Sequence, residues 1–381
     1  MNKREFLAQL KKALSGLPQE DINERLTFYS EMIDDQMEEG LSEADAVAAV
    51  GAVNEIAAQA VADTPLVKIA KERIKPARKL HLFTAAMTRS HWDFTNLSTV
   101  NYETNAYEIS EEFTRLSLNT DIADISLVLS GDGKCRVECF EEASARHSVA
   151  VEDGELVIRA KDERAWYAHL GLRFGRPRIT VYLPHAEYGA LTIREATGNI
   201  GVPKGFRFDC ADISLSTGDA TFCASADGAV SIKTTTGDIR VENIAADSLD
   251  LSATTGHVTV SGVTCAGDVT VGVTTGKVRL TDVACSSLSS NGKTGALFME
   301  RVVAAQQLTV RRTTGSVHLD GCDAAALSIE TSTGDVAGSL LTEKVFAAET
   351  STGKIDVPKG TTGGLCEIKT TTGSIRMDVA R

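Results

Sequence analysis

Large aromatic side chains are scarce here: Phe, Trp and Tyr together make up 5% of the 381 residues. Rings of that size usually dominate a globular core. Their low share fits a thin core filled by Val, Ile, Leu and Ala. Long apolar runs are also missing. No stretch reaches the roughly 18 residues needed to span a bilayer, and Met1–Leu14 is a charged amphipathic segment without the apolar region of a signal peptide. The expected compartment is therefore the cytoplasm. Positive charge is in deficit, with a net charge of −13, which argues against a nucleic-acid partner because binding phosphates demands clustered cations. One dense basic cluster exists, formed by Lys68, Lys71, Arg73, Lys75, Arg78 and Lys79. It suits either peripheral contact with an anionic membrane surface or the solvated end of a helix running into a linker, since Pro76 stops or bends a helix there. The linker is the preferred reading.

Catalytic signatures are absent as well. There is no Gly-rich phosphate loop and no nucleophile elbow, and no residue is assigned a catalytic, cofactor-binding or metal-binding role. Of the eight cysteines, Cys135 and Cys139 are separated by three residues on an expected strand and make no recognisable metal-ligand set. Cys265 and Cys285 could meet as a disulfide if their segments stack, but a cytosolic setting favours buried thiols. Cys322 and Cys366 stand at positions that elsewhere hold aliphatic residues.

What the chain does have is rhythm. Thr-Gly recurs with its glycine at 198, 218, 237, 256, 276, 295, 315, 334, 353 and 373, always 19 or 20 residues apart. Two and four residues after each glycine the side chain is nearly always apolar, as in Ile239 and Val241 or Val278 and Leu280, with polar residues between. Seven and five residues before it the same holds, as in Val230 and Ile232 or Leu249 and Leu251. Such alternation describes two short strands per repeat, each with one buried face. A unit this small cannot bury its own apolar face, so like must stack on like. The expected fold is mainly β: a parallel β-solenoid of about ten coils, on the order of 50 Å long at about 4.8 Å per coil. Glycine provides the positive φ of the corner, and the threonine hydroxyl can bond turn backbone or the next coil. An ice-binding threonine array is the minor alternative, since Ala253, Val273 and Arg312 interrupt the Thr-x-Thr pairs. Constant coil length leaves no long loop to wall a cleft, and the stacked Asp219 and Asp238 read as ordinary solvated acids, so an enzyme is not expected. The last repeat runs through Ile375 and Met377 and is expected to leave an open end, a route to self-association.

The front differs. Phe6, Leu10, Leu14 and Leu17 form one helical stripe, and Ile22, Leu26, Tyr29, Ile33 and Met37 another. Pro18 and Gly40 punctuate them, Ser42 with Asp45 suggests an N-cap, and a short helix is expected around 56–61. The acids Glu31, Asp34, Asp35, Glu38 and Glu39 read as a solvated face. Residues 1–65 thus form a helical domain, 66–104 a basic linker containing Trp92, and 105–381 the solenoid, whose first part, 105–190, is β-rich but irregular.

The segments Ile179–Pro184, Ala196–Ile200 and Thr235–Ile239 resemble the bacterial putative-adhesin β-solenoid family, a domain of unknown function, over roughly residues 105–381. The segments Asn2–Leu17 and Ser42–Ala57 resemble the HAAS-type helical signalling domain. The resemblance implies a non-catalytic interaction protein in an envelope-stress or regulatory setting, with the helical module binding a protein partner. In the HAAS family that module usually precedes transmembrane helices, which this chain lacks. Self-assembly in the manner of bactofilins, or surface adhesion, are the alternatives.

Overall fold

The computed structural model describes residues 2–14, 42–50, 102–143, 145–162 and 177–379, together with 22, 26, 29, 30, 33, 37 and 53. The expected breaks at Pro18 and Gly40, the acids between 31 and 39, the helix around 56–61, the basic cluster 68–79 and Trp92 lie outside the described residues. Helical and β residues form separate compact units. No helix among the described residues is long and apolar enough to cross a membrane.

In the helical unit, α1 (Lys3–Ala13) starts with a capping box. Asn2 Oδ1 accepts the Glu5 N–H at 2.8 Å, and Glu5 Oε2 accepts the Asn2 N–H at 3.2 Å. Ser42 caps α2 (Glu43–Val50), accepting from the Asp45 N–H at 3.3 Å. The Lys3 N–H donates to Glu43 Oε1 at 3.0 Å and ties the two starts together. The expected stripes close one core of Phe6, Leu10, Leu14, Ile22, Tyr29, Ile33, Ala46, Val47 and Val53, while Met37 is exposed. Leu17 lies outside the described residues.

The β unit is the parallel solenoid. Coils pair in strict register, for example Val230 with Leu249 and Ile232 with Leu251, or Val258 with Val278 and Val260 with Leu280. Inward residues of both strands are buried along the stack up to the Gly353 coil, whose Phe346, Ala348 and Val357 are only partly buried. The corners explain the Thr-Gly pair. Except at the outermost Gly353, the corner glycine N–H donates to the carbonyl of the threonine in the adjoining coil, as Gly256 does to Thr275 at 3.0 Å and Gly276 to Thr294 at 2.9 Å. Gly276 has φ +150°, positive as expected for the corner glycine. A Cβ on it would overlap the Gly256 carbonyl oxygen, and the same clash recurs at successive corners. Glycine is thus required by the close approach of the neighbouring coil as much as by φ. The hydroxyl that bonds turn backbone is that of the threonine three residues before the glycine. Thr234 donates to the Gly218 carbonyl at 3.4 Å and Thr331 to Gly315 at 3.3 Å.

Two features depart from expectation. First, the stack begins one coil earlier. Strands Arg115–Ile122 and Asp124–Leu129 pair in parallel with the Gly198 coil, placing Ile122 opposite Thr197, with Ala123 at the corner. Beyond them lie Glu155–Asp162 and Arg178–Leu183, also parallel, and then the pattern turns antiparallel through Cys135–Glu142, Tyr102–Ile109 and Ala145–Glu152. This is how that end closes: a change of strand direction ends the repeat.

Second, the last two coils are not stacked in chain order. Strand Gly364–Thr372 pairs with Val317–Thr333 on one side and Lys344–Thr352 on the other. The Gly373 coil therefore sits between the Gly334 and Gly353 coils. Hydroxyl bonds follow the spatial order, Thr370 to Gly334 at 3.1 Å and Thr350 to Gly373 at 2.9 Å. Cys366, Ile368, Ile375 and Met377 are buried, whereas Ile355, at an inward position, is 47% exposed. The open end is thus the Gly353 coil rather than the last one in sequence. Composition accounts for the choice. The Gly373 coil has the fuller apolar set, while the Gly353 coil carries Ala348 and ends in Val357-Pro358, and a proline belongs at an edge where no further strand needs its N–H.

Gly276→Ala is expected to destabilise the protein by about 3 kcal/mol or more, through backbone displacement in addition to φ strain. Thermal melting checks it, and an unchanged midpoint would mean that the corner stack tolerates a Cβ.

Candidate functional site

Against such uniform columns, polar exceptions stand out. Asp219 and Asp238 are exposed, as expected, but each has a structural partner. Asp124 Oδ1 accepts the Asn199 N–H at 2.8 Å, Asn199 Oδ1 that of Asp219 at 2.9 Å, Asp219 Oδ1 that of Asp238 at 2.7 Å, and Asp238 Oδ1 that of His257 at 2.7 Å. His257 Nδ1 accepts from Lys277 at 3.0 Å. The column one residue after the glycine is therefore a side-chain ladder that satisfies backbone N–H groups at the corners. Asp238→Ala is expected to cost about 1 kcal/mol, the usual net worth of one such bond, visible as a small fall in melting temperature.

In the irregular β section, alternation on strand Cys135–Glu142 puts Cys139 and Glu141 on one face, and strand Ala145–Glu152 brings His147 to them. Their Sγ, carboxylate and ring-nitrogen atoms lie within 4.8 Å of one another, all three residues buried. Cys135 is not part of this group, and sequence spacing gave no sign of it because the histidine arrives from another strand. Glu141 accepts from the His147 N–H at 2.6 Å and from Asn105 Nδ2 at 2.8 Å, and its Oε2 lies 2.7 Å from His147 Nδ1. Burial raises the Glu141 pKa, but hydrogen bonds from the His147 ring, Asn105 and the His147 backbone outweigh it and hold the carboxyl below its ordinary value. A carboxylate only accepts, so Nδ1 carries the hydrogen. Burial, helped by the Glu141 charge, pushes the Cys139 thiol up to about 12. These are the residues that could hold a metal. Doing so would require removing the thiol hydrogen and presenting a free imidazole nitrogen, because a metal binds thiolate and unprotonated ring nitrogen.

The column three residues before each glycine collects the other exceptions. It begins with Glu195, which pairs with Thr120 in the coil before. The Thr120 hydroxyl bonds Oε2, and Oε1 accepts from Ala123 N–H at 3.1 Å and Thr197 N–H at 3.2 Å. Burial raises the Glu195 pKa to about 8 despite these donors, with Asp121 and Asp124 adding to the rise. Near the middle the column reads Val273, Gly292, Arg312. Arg312 is 4% exposed, and Nη2 donates to Ser290 Oγ at 2.8 Å. Nε and Nη1 are buried with no hydrogen-bond partner. Burial lowers the Arg312 pKa to about 10, which leaves the guanidinium cationic at neutral pH. Beside it opens a cavity of about 530 Å³. The Cys265 and Cys285 thiols sit in the core and are raised by burial to about 11 and about 12.

Glu195 makes stability depend on pH. A folded pKa above the ordinary 4.5 gives stability that is complete below about 4.5 and is lost as pH rises through about 8. Urea unfolding at pH 5 and pH 8 is expected to differ less in Glu195→Gln than in the unaltered protein, by on the order of 2–4 kcal/mol. Equal differences would mean that Glu195 ionises normally.

No curated protein sequence matches the chain. Among solved structures, a putative adhesin from Bacteroides fragilis NCTC 9343 shares 12% identity over 74% of this chain and 97% of that chain, with a TM-score of 0.31. A putative adhesin and a putative lipid binding protein, both from Parabacteroides distasonis ATCC 8503, share 12% and 11% identity over 73% and 74% of this chain and 98% of each of theirs, with TM-scores of 0.35 and 0.36. Residues 5–59 match the HAAS family. Residues 113–273 and 266–381 match Toastrack DUF4097, and the chain belongs to that family.

Proposed function

We propose that this is a non-catalytic interaction protein, in which the helical module binds a protein partner and the solenoid acts as a rigid spacer or binding surface, in a regulatory or envelope-stress setting. The observation that carries this reading is the constancy of the coils. Every Thr-Gly interval is 19 or 20 residues, so no extended loops wall a cleft of the kind in which acids and bases converge on a substrate. The HAAS match supports the signalling side of the proposal. We assign the protein to the cytoplasm, with 68–79 as a linker that also suits an anionic membrane surface.

The test compares affinity capture from the native host by the full chain and by Phe6→Asp, which places a charge in the core of the helical unit. A specific partner is expected with the unaltered chain and lost with Phe6→Asp, while the melting of the β unit stays unchanged. Identical capture profiles would overturn the proposal.

Self-assembly is the second reading, supported by the exposed Ile355 and Val345 on the end coil. Light scattering is expected to show concentration-dependent association that Ile355→Lys abolishes. A full chain that stays monomeric at high concentration removes this alternative.

A further inference from the structure

Three neighbouring positions depart together from the solenoid's pattern. The inward column five residues before the glycine is aliphatic at Ile232, Leu251, Val271, Val310 and Ile329, yet Ser290 stands in its midst, fully buried. Two residues on, Gly292 leaves a gap in the next inward column. One coil further, Arg312 pairs with Gly292 and fills that gap. A Cβ on Gly292 would overlap Arg312 Nη1 and approach the Val273 carbonyl oxygen to 2.7 Å, so the glycine and the arginine form one arrangement. The outer wall is thinned at the same place, because Gly272 stands where adjoining coils carry Ser252, Asn291 and Arg311.

The result is the cavity of about 530 Å³ whose lining includes Arg312, Arg311, Lys293, Asn291 and Thr274. Its size lies within the range of about 300–1,000 Å³ usual for small-molecule sites. The local charge is reversed relative to the chain: three cations against one carboxylate, Glu330, within a protein of net charge −13. No salt bridge joins Arg312 to a carboxylate among the described residues. A buried cation is costly unless paired, and Ser290 meets only one of its donors. Had the column needed mere filling, threonine was at hand. Thr331 in the next coil donates to the Gly315 carbonyl, and a threonine at 312 would meet Gly295 in the same way.

We propose that this cavity is a binding site for an oxyanion, the phosphate or carboxylate group of a small polar ligand, which seats beside Gly292 and accepts from the Arg312 guanidinium while Lys293 and Arg311 draw it in. Guanidinium matches the geometry of both anions. Because Nε and Nη1 are shielded from solvent, the ligand must enter the cavity floor rather than rest on its rim. Asn291 and Thr274 supply neutral polar contacts for the body of the ligand.

The test uses the full chain with inorganic phosphate, with glucuronate and with neutral glucose at matched ionic strength. Phosphate or glucuronate is expected to raise the melting temperature by about 3 °C once in tenfold excess over its Kd and to move the Arg312 Nε–H NMR signal. Glucose is expected to do neither. Whichever oxyanion acts at lower concentration identifies the source. Arg312→Thr, which restores the threonine column, should fold and lose both responses. The proposal is overturned if neither oxyanion moves the signal at tens of millimolar, if glucose acts as well as glucuronate, or if Arg312→Thr responds like the unaltered protein. Should Arg312→Thr fail to fold, the NMR titration of the unaltered protein decides alone.

Discussion

The corner carbonyl is the constraint on which this fold hangs. Along the stack of Thr-Gly corners the glycine oxygen of one coil occupies the space where the neighbouring glycine's Cβ would be, while inside the stack the glycine N–H reaches the threonine carbonyl of the coil beyond. Any side chain at the corner would push two coils apart, and with them every strand bond in that layer. The corner therefore fixes the lateral register, and the register forces like residues onto like. A one-residue slip would turn a buried face to water. This is why coil length varies by no more than one residue, with the variation absorbed away from the corner, where the strands show register shifts between Cys285 and Ser287 and between Ala304 and Gln307.

A stack locked in this way has uniform layers and vulnerable ends. One end is closed by reversing strand direction. The antiparallel strands cover the first coil, and there the apolar core continues into Val137, Cys139 and Val181. The other end is managed by order. Placing the Gly373 coil inside leaves outermost the layer with the smaller apolar set and a proline. Lys344, at the start of that layer, is anchored by Asp323 at 2.7 Å and by the Thr342 hydroxyl at 2.7 Å. A buried ion pair is weak evidence for stability in itself, but here it fixes where the chain crosses from the Gly334 coil to the edge.

Much of this was legible in the sequence, because strand alternation and the glycine beat are local patterns that survive without any knowledge of partners. What escaped shared one property: it depended on neighbours distant in sequence. The first coil carries Ile122 and Ala123 in place of Thr-Gly and so fell outside the repeat. The exchange of the last two coils was hidden because Gly353 and Gly373 satisfy the same pattern, and a pattern says which residues face inward but not which layer lies next to which. The Cys139, Glu141 and His147 group needed the fold of the irregular section. Arg312 was visible as an interruption, but its meaning depended on Gly292 and Ser290 one coil away, and that alignment exists only once the columns are stacked.

The buried charges show why that last group differs from the others. Glu141 keeps its charge and is compensated by three donors, which hold its carboxyl below the ordinary range. Glu195 also has three donors, but burial, with Asp121 and Asp124 nearby, outweighs them and it gives up its charge instead, its pKa raised to about 8. Both are self-contained solutions to the cost of burying an ion. Arg312 has neither. At a pKa of about 10 it remains a cation at neutral pH, and its one bonded neighbour, Ser290, is uncharged. A thin β-solenoid has little hydrophobic core to spare, and a Thr or Val would fit the column with less strain. Retaining a guanidinium there, with a glycine cut away to admit it and a cation-lined cavity beside it, makes sense when the missing counter-charge arrives from outside the chain.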